Sequence, residues 1–496
     1  MPGVPEVPSV DELAAMPPGE LAARLAEACR LIGELTAANG QLAARVEHLE
    51  HLAGKDSATS SKPPSSDSPY KKKVRGRDRS LRERGKRPPG KQPGEPGTTM
   101  YLTGDPKVRL FFPPAACRGC GTDLTGADVT AQRRHQVTDL VPGAAPQVTE
   151  CVAQAKECPC CAAVTEGELP GHVRARASFG PEVSAQAANL ASGHHIPVRR
   201  AVQVLRDLAG ITVSTGWMAG IRGKAAALIQ ASGFIERMRE LLKNAPAVHV
   251  DETPARAAGG MRYVHLACTQ YLTLMHTGDR SRPAIDAGGV LPGYAGIIVR
   301  DGYHAGYGHL TDALHAWCGA HLLRDLKDLY DFEPARQDWA AKMAALLIEA
   351  RDAARDARQD GRSALAPGTL DDLVTRYRAL AAAGLSSNLY RRTTTAKDAC
   401  RIARRFTNFE DMILRFATRP DLDIFTNNEA ERTIRPVKVQ QRSSGGCWRT
   451  IEGLAEFAVV QSYLSTAAKW GLTKIDVLRS LFNGHAWIPP GLEPAR

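Results

Sequence analysis

The segment 246–334 constrains the fold most, because strand and helix patterns alternate along it. Its first half predicts three strands rich in apolar and β-branched residues, with a Gly-Gly turn after the first, at 247–252, 261–268 and 271–276. A short helix over "PAIDAGGVLPG", a strand over "AGIIVRD", and a brief strand followed by a helix over "ALHAWCGAHLLRDLKDLYDF" come next. The order β-β-β-α-β-(α)-β-α predicts an α/β core.

Two acids stand at the ends of predicted strands in this core. Asp251 follows the run "AVHV" and Asp301 follows "GIIVR". If the two strands lie side by side, both carboxylates converge at one end of the sheet, where they repel each other unless a divalent cation lies between them. Either acid alone could be an unrelated strand-end residue, but the pair predicts a metal site.

The core pattern stops near residue 334 and resumes after a long helical stretch. Residues 335–400 are rich in Ala, Arg and Leu, and they predict an insertion of helices with charged outer faces. A long helix near 396–417 would bring the chain back to the core, and the run "NNEAERTIRPVKVQQR" follows it. A third acid for the metal site is therefore expected in that run.

The run "NNEAERTIRPVKVQQR" predicts a helix that Asn427 can cap. On that helix Glu431, Arg435 and Lys438 share a face, whereas Glu429 points elsewhere. One carboxylate beside two cations suits a site where the acid completes a metal clamp and the cations hold phosphates, although a solvated helix face is the alternative. The cations of the run are the predicted DNA-binding residues, namely Arg432, Arg435, Lys438 and Arg442.

Two CxxC pairs indicate a metal site of a different kind. Each CxxC turn can present two thiolates to one ion, and two turns would complete a tetrahedral Zn²⁺ site from Cys117, Cys120, Cys158 and Cys161. The segments "RRHQVTDLVP" and "PQVTECVAQAKE" between them alternate enough to be short strands. A structural zinc ribbon is therefore predicted, with Cys160 or Cys151 as possible substitute ligands and chance clustering of cysteines as the alternative.

A heptad pattern runs through residues 19–53. One column is Leu21, Ala28, Leu35, Leu42 and Leu49, and the other is Leu25, Ile32, Asn39 and Val46. A single Asn in such a seam sets the register of parallel dimers. The pattern predicts a coiled coil that forms a homodimer or a higher oligomer, and an amphipathic helix lying on its own protein is the alternative.

A basic tether and a helical segment flank the cysteine region. Residues 71–91 hold eleven Lys and Arg against two acids, a net charge of +9, within a stretch rich in Pro, Gly and Ser that predicts disorder. Nucleic acid is the natural partner of such a charge, although an inert linker is the alternative. Farther on, two amphipathic runs around "AGITVST", with Ser214 or Thr215 as a cap, suggest a helix-turn-helix on DNA or a helical layer under the next domain.

The predicted organisation is a multidomain α+β protein that acts in the cytoplasm. No apolar run approaches the ~18 residues of a membrane span, the start does not resemble a secretory signal, and clustered cysteines favour reduced thiols. The predicted segments are a flexible N-terminus 1–18, a coiled-coil helix 19–53, a disordered basic linker 54–99, a zinc ribbon 100–175, a helical and possibly helix-turn-helix segment 176–245, a core in two parts 246–334 and 401–470, a helical insertion 335–400, and a C-terminal segment 471–496.

Four motifs together resemble the transposases of the insertion sequence 66 family. They are "HVDETP" at 249–254, "RDGYHAGY" at 300–307, "CGAHLLRDL" at 318–326 and "NNEAERTIRPVK" at 427–438, and the resemblance extends from about residue 20 to 490. The family implies a DDE enzyme with an RNase H-like catalytic domain, which acts in bacteria on double-stranded DNA at transposon ends and targets. Accessory proteins from the same element are possible further partners.

The resemblance assigns roles to individual residues. Asp251, Asp301 and Glu431 match the catalytic triad, and Lys438 is similar to a lysine that contacts DNA in other DDE transposases. Cys318-x-x-His321 is similar to a (C/D)xxH motif and is expected to support the site without binding metal.

The expected chemistry is in-line displacement at phosphorus with two Mg²⁺ or Mn²⁺ ions. Asp251 would bridge the ions, and the same site would cleave the element's end and join it to target DNA. A DNA-binding regulator without catalysis and an RNase H-superfamily nuclease are the alternatives.

Overall fold

The computed structural model describes two long parts of the chain and several short pieces between them. The described residues are 16–54, 115–116, 120–126, 128, 146–150, 154–157, 159, 161, 164–166 and 178–494. They belong to two compact units. The smaller unit contains 115–116, 120–126, 128, 146–149 and 204–212, and the larger unit contains the rest. Within the smaller unit, Ala116 and Asp123 form an antiparallel bridge, and Asp123 Oδ1 accepts hydrogen bonds from the backbone and side chain of Thr125.

The heptad segment forms one helix, α1, at Pro18–Gly54. Side chains of both predicted columns are exposed on it, with Leu25 67%, Ile32 61% and Leu35 64% accessible. The predicted helix is confirmed, and the association of two such helices stays a prediction.

A small hairpin lies in the cysteine region. The strands β1 (Ala155–Glu157) and β2 (Val164–Glu166) pair antiparallel. The first occupies the end of the predicted strand segment "PQVTECVAQAKE". Cys161 lies in the connection between its two strands.

Helices lead from this region into the core. They are α2 (Pro181–Ala188), a π-helical turn at Asn189–Gly193, α3 (Val198–Ala209), α4 (Thr215–Ala231) and α5 (Phe234–Lys243). Of the two predicted caps, Ser214 is the one used, because its Oγ accepts a hydrogen bond from Trp217 N at 3.1 Å. Ala225 and Ile229, on the inner face of α4, are fully buried.

The core is built on one five-stranded mixed sheet. Its strands are β3 (Ala247–Ala257), β4 (Gly260–Cys268), β5 (Thr273–Gly278), β6 (Ile297–Arg300) and β7 (Leu314–Trp317). They lie in the order β5-β4-β3-β6-β7, where β3 to β5 are antiparallel and β3, β6 and β7 are parallel. The short helices α6 (Arg282–Asp286) and α7 (His304–Tyr307) and the longer α8 (Gly319–Phe332) connect or follow them. The predicted element order and the α/β core are confirmed.

A helical layer covers the β6–β7 side of the sheet, as the insertion pattern predicted. It consists of α9 (Asp338–Gln359), α10 (Thr369–Ser386) and α11 (Thr394–Asn408), then α12 (Glu410–Ile413) and α13 (Arg415–Thr418). The single long helix expected near 396–417 is wrong, because Phe409 and Leu414 leave helical geometry and divide it. This break lets Phe409 stack on Trp317 of β7, with ring centroids 4.8 Å apart.

Two late helices cover the β3–β5 part of the sheet. The helices α14 (Asn428–Ser443) and α15 (Ile451–Lys469) pack there, and α16 (Lys474–Phe482) follows. Their core includes Val264, Leu266, Val437 and Phe457, each at most 3% exposed. In the described residues, no helix has both the length and the apolar character needed to cross a membrane.

Candidate active site

The parallel pairing of β3 and β6 brings Asp251 and Asp301 to neighbouring positions. His249 pairs with Val299, and each acid lies two residues farther along its strand. The first predicted strand ended too early, since β3 continues to Ala257 while β6 stops at Arg300. Asp251 therefore lies on the part of β3 that extends beyond β6, next to Asp301, which directly follows the end of β6. The ladder between the two strands has ended at this edge, so the backbone there is not committed to sheet pairing between β3 and β6.

Both aspartates accept hydrogen bonds from the backbone, and their surroundings disfavour the ionised carboxylates. Asp251 Oδ1 accepts a hydrogen bond from Glu252 N, and Asp301 Oδ1 accepts one from Tyr303 N, each at 2.8 Å. Burial raises the pKa of both carboxyls, and the charge of Glu252 raises each further. Asp301 and Glu431 add to the shift of the Asp251 pKa, which lies well above its usual range. A divalent cation would remove this mutual repulsion.

Asn427 anchors the helix that carries Glu431 to the strand that carries Asp251. It is the N-cap residue of α14, but its side chain makes no capping hydrogen bond. Its Nδ2 donates to Val250 O at 2.7 Å, and its Oδ1 lies 3.2 Å from Nδ1 of the buried His249. The predicted capping role is therefore wrong, because β3 takes the amide that would otherwise face the helix. His249 is packed in the interior, and burial lowers its pKa.

A second link runs from Asn427 to the start of α8. Asn427 N donates to Cys318 Sγ at 3.1 Å, and Gly319 N donates to Phe425 O at 2.7 Å. A Cβ at Gly319 would meet the Phe425 ring at 2.5 Å, so only glycine permits this approach. Cys318 is 1% exposed, and burial raises its pKa to about 11. The thiol thus helps to fix the segment that leads into α14, and its role at the site stays a prediction.

The carboxylate of Glu431 has both basic side chains and another acid near it. Arg324 Nη2 is 3.7 Å from Glu431 Oε1, and His321 Nδ1 is 3.6 Å from the same oxygen. Burial raises the Glu431 pKa and Asp301 adds to it, whereas Arg324 and Arg435 oppose the shift. Burial lowers the pKa of His321 to about 4, so its imidazole is neutral at neutral pH and the contact is not an ion pair.

A fourth acid belongs to this site, and the sequence reading missed it. Glu252 Oε1 accepts hydrogen bonds from Arg280 Nε at 3.0 Å and Nη2 at 2.7 Å, and its Oε2 accepts one from the Tyr307 hydroxyl at 2.8 Å. Arg280 also lies 3.9 Å from the ring centroid of Tyr303. The pair of adjacent acids in "HVDETP" was the sequence signal for this fourth acid. The arginine that binds Glu252 lies 28 residues away in sequence, so the pairing itself was not visible.

Arg300 is a further residue that supports the site, and the pattern "GIIVRD" did not reveal its role. It is fully buried, and it donates from Nε to His315 Nδ1 at 3.0 Å and from Nη1 to Asp301 O at 2.9 Å. Burial lowers its pKa to about 10. Arg300 thereby holds the backbone at Asp301 from inside the core, while the Asp301 side chain belongs to the acidic edge.

The four cations of α14 differ in their surroundings. Arg432 pairs with Glu429, and Glu429 also binds Lys469 at 3.0 Å. Arg435 and Arg442 are exposed. Lys438 is partly buried, its Nζ donates to Pro254 O of β3, and burial lowers its pKa.

The predicted zinc ligands fall only partly within the described residues. Cys120 and Cys161 are exposed free cysteines, and Cys161 lies between β1 and β2. Cys117 and Cys158 lie outside the described residues, as do the possible substitutes Cys151 and Cys160. The zinc ribbon stays a prediction.

The protein has an α/β fold, in which a mixed sheet carries acids at one edge. A packed helix adds a glutamate, and arginines lie around it. Such a site suits metal-assisted chemistry on phosphates. The family model described as "Transposase IS66 family" matches residues 176–455. The chain belongs to that family, and its role is that of a transposase. A second family model, of unknown function (DUF6444), matches residues 15–100. Among curated proteins no match was found.

Proposed function

We propose that this transposase cleaves the ends of its insertion sequence and joins them to target DNA by two-metal phosphoryl transfer. Asp251, Asp301 and Glu431 are the catalytic carboxylates, in an RNase H-like core of the DDE type. The observation that carries the proposal is the register of β3 and β6, which aligns the two aspartates two residues beyond His249 and Val299. Asn427 supports it by fixing α14 to β3 beside Asp251.

The donor set fits Mg²⁺ or Mn²⁺. All three ligands would be carboxylates, the type of oxygen ligand that hard divalent cations prefer. Burial raises the pKa of all three acids and the charge of neighbouring acids adds to it, and a bound cation would favour their ionised forms. When bound, the ions would activate water or a 3′-hydroxyl and stabilise the leaving oxygen.

The chain's own residues hold this site and its DNA. The backbone N–H groups of Glu252 and Tyr303 orient the aspartates, and Asn427 and Cys318 orient the helix of Glu431. Arg435 and Arg442 are exposed on that helix, where they would bind phosphates of double-stranded DNA. Arg432 and Lys438 would add to this contact once DNA replaces their present partners, Glu429 and the Pro254 carbonyl.

The segments outside the core would find and pair the two ends. The basic tether at 71–91 would supply non-specific, salt-dependent affinity for DNA. The helices α3 and α4 would also bind the DNA. The Cys117, Cys120, Cys158 and Cys161 ribbon would hold a structural Zn²⁺. Self-association of α1 would give the dimer that pairing two ends requires, because its apolar seam is exposed.

The direct test uses purified protein, labelled end DNA and Mg²⁺. Replacing Asp301→Asn should abolish cleavage and strand transfer while DNA binding in a gel-shift assay is kept. Asp312→Asn, an exposed acid in the same part of the chain, is the matched control and should keep activity. Strand transfer by Asp301→Asn at the rate of the unmodified chain would overturn the assignment.

A further inference from the structure

Three side chains of mixed ligand chemistry meet beside the acidic edge. A ligand atom from each of Cys318, His321 and Glu431 lies within 4.8 Å of the others. In the part of the chain that the structure describes, no other three His, Cys, Asp or Glu side chains come so close.

Two of these atoms are buried without a hydrogen bond. His321 Nδ1 and Glu431 Oε1 face each other at 3.6 Å, and neither has a hydrogen-bond partner. Burying polar atoms without hydrogen-bond partners is unfavourable. One cation bound to both atoms would satisfy them together, and the side-chain exposures of 17% for His321 and 30% for Glu431 leave a path from solvent.

Cys318 can complete the site as a thiolate. Its sulfur is one of the three ligand atoms of this cluster and already accepts a hydrogen bond from Asn427 N at 3.1 Å. This donor would also stabilise the negative charge that a metal-bound sulfur carries. On binding, the S–H bond breaks, a metal–sulfur bond forms, and the proton passes to solvent.

We propose that Cys318, His321 and Glu431 bind one thiophilic divalent ion of the zinc class, and that this ion withdraws Glu431 from the catalytic carboxylates. The binding site stands on its own geometry, and the withdrawal rests on the proposed function. Sulfur, imidazole and carboxylate with room for a fourth ligand is a zinc-type donor set. Mg²⁺ would gain only the carboxylate here, because sulfur and imidazole are poor ligands for it.

Metal stoichiometry of the full chain tests the site. Co²⁺, added to protein already saturated with Zn²⁺ at its tightest sites and then dialysed, reports a thiolate ligand by its charge-transfer absorption. The unmodified chain should bind one more ion per chain than Cys318→Ser and Glu431→Gln. Cys400→Ser, a buried free cysteine of α11, is the control and should bind as many as the unmodified chain. Equal stoichiometry in all four proteins would overturn the site.

Displacement of Mn²⁺ tests the regulatory half. Electron paramagnetic resonance counts the Mn²⁺ bound to the chain, and one equivalent of Zn²⁺ should lower that count in the unmodified chain and in Cys400→Ser, but not in Cys318→Ser. An unchanged count in the unmodified chain would overturn the withdrawal of Glu431. If the chain binds no Mn²⁺ at all, the proposed two-metal function and the withdrawal both fail, whereas the cobalt stoichiometry still decides the site.

Discussion

Asn427 Nδ2 donates to the carbonyl oxygen of Val250 at 2.7 Å, so the residue that opens α14 is tied to the residue directly before Asp251. The side-chain oxygen of Asn427 also contacts His249, and the backbone N–H of Asn427 donates to Cys318. One asparagine thereby fixes the helix of Glu431 against the strand of Asp251 and the start of α8. The relative position of the two proposed catalytic acids depends on this side chain more than on any contact between the acids.

Replacing Asn427→Ala should lower DNA cleavage strongly and destabilise the fold. The change leaves the buried Val250 carbonyl and His249 Nδ1 without partners, at a cost of about 1–3 kcal/mol in the free energy of unfolding. Chemical denaturation and a cleavage assay measure the two effects. Asn428→Ala, an exposed amide one residue later, is the control and should change little. Equal behaviour of the two variants would contradict the anchoring role.

Replacing Gly319→Ala should displace Phe425 and the segment that leads into α14. A Cβ there would lie 2.5 Å from the Phe425 ring, and relieving that clash should cost about 1–3 kcal/mol in the free energy of unfolding. Thermal unfolding and end cleavage should both suffer. Gly220→Ala in α4 meets nothing within 4 Å, so it should be neutral or stabilise the fold by about 1 kcal/mol. A Gly319→Ala protein as stable as Gly220→Ala would show that the approach of Phe425 is not required.

The element order of the core could be predicted from sequence, because apolar runs, turns and strand-end acids are local patterns. The contacts that make the site could not. The pairing of Glu252 with Arg280 and of Asn427 with Val250 joins residues far apart in the chain, so no periodicity reveals them. Arg300 is a charged residue at the end of a strand, yet it is fully buried, and His315 and the Asp301 carbonyl accept its hydrogen bonds. The helix break at Phe409 accompanies its stacking on Trp317, a residue of a strand distant in sequence, so a local helix pattern could not reveal it.

Replacing Glu252→Gln should extend cleavage activity to lower pH. The charge of Glu252 raises the pKa of both Asp251 and Asp301, so its removal lets them ionise, and bind metal, at lower pH. Arg280, without its partner, would act in the same direction. The acidic limb of the pH–rate profile measures the shift, and Glu236→Gln, an exposed acid of α5, should leave that limb in place. A limb that moves to higher pH would contradict this account.

Replacing Asp301→Asn should stabilise the metal-free protein at neutral pH. The folded-state pKa of Asp301 is raised, so this group contributes stability below its unfolded pKa, and the contribution is lost as pH rises through the folded pKa. Asparagine removes the buried charge, and the gain should be on the order of 1 kcal/mol at pH 7 and vanish near pH 3. Denaturation without divalent ions measures it, and equal stability of the two proteins at pH 7 would refute it. Mg²⁺ should stabilise the unmodified chain and not the variant, because ions that bind only the folded state shift the equilibrium.

Replacing Leu35→Lys should dissociate the oligomer. Leu35 is 64% exposed on α1 in the single chain and belongs to the predicted apolar seam, where a charge without a partner opposes close packing of two helices. Ala37→Lys, two residues later at the heptad position farthest from the seam, is the matched control. Analytical ultracentrifugation should give the monomer mass of about 53 kDa for Leu35→Lys and a multiple of it for the control and the unmodified chain. If all three sediment alike, α1 is not the oligomerisation element, and the pairing of transposon ends must depend on another part of the chain.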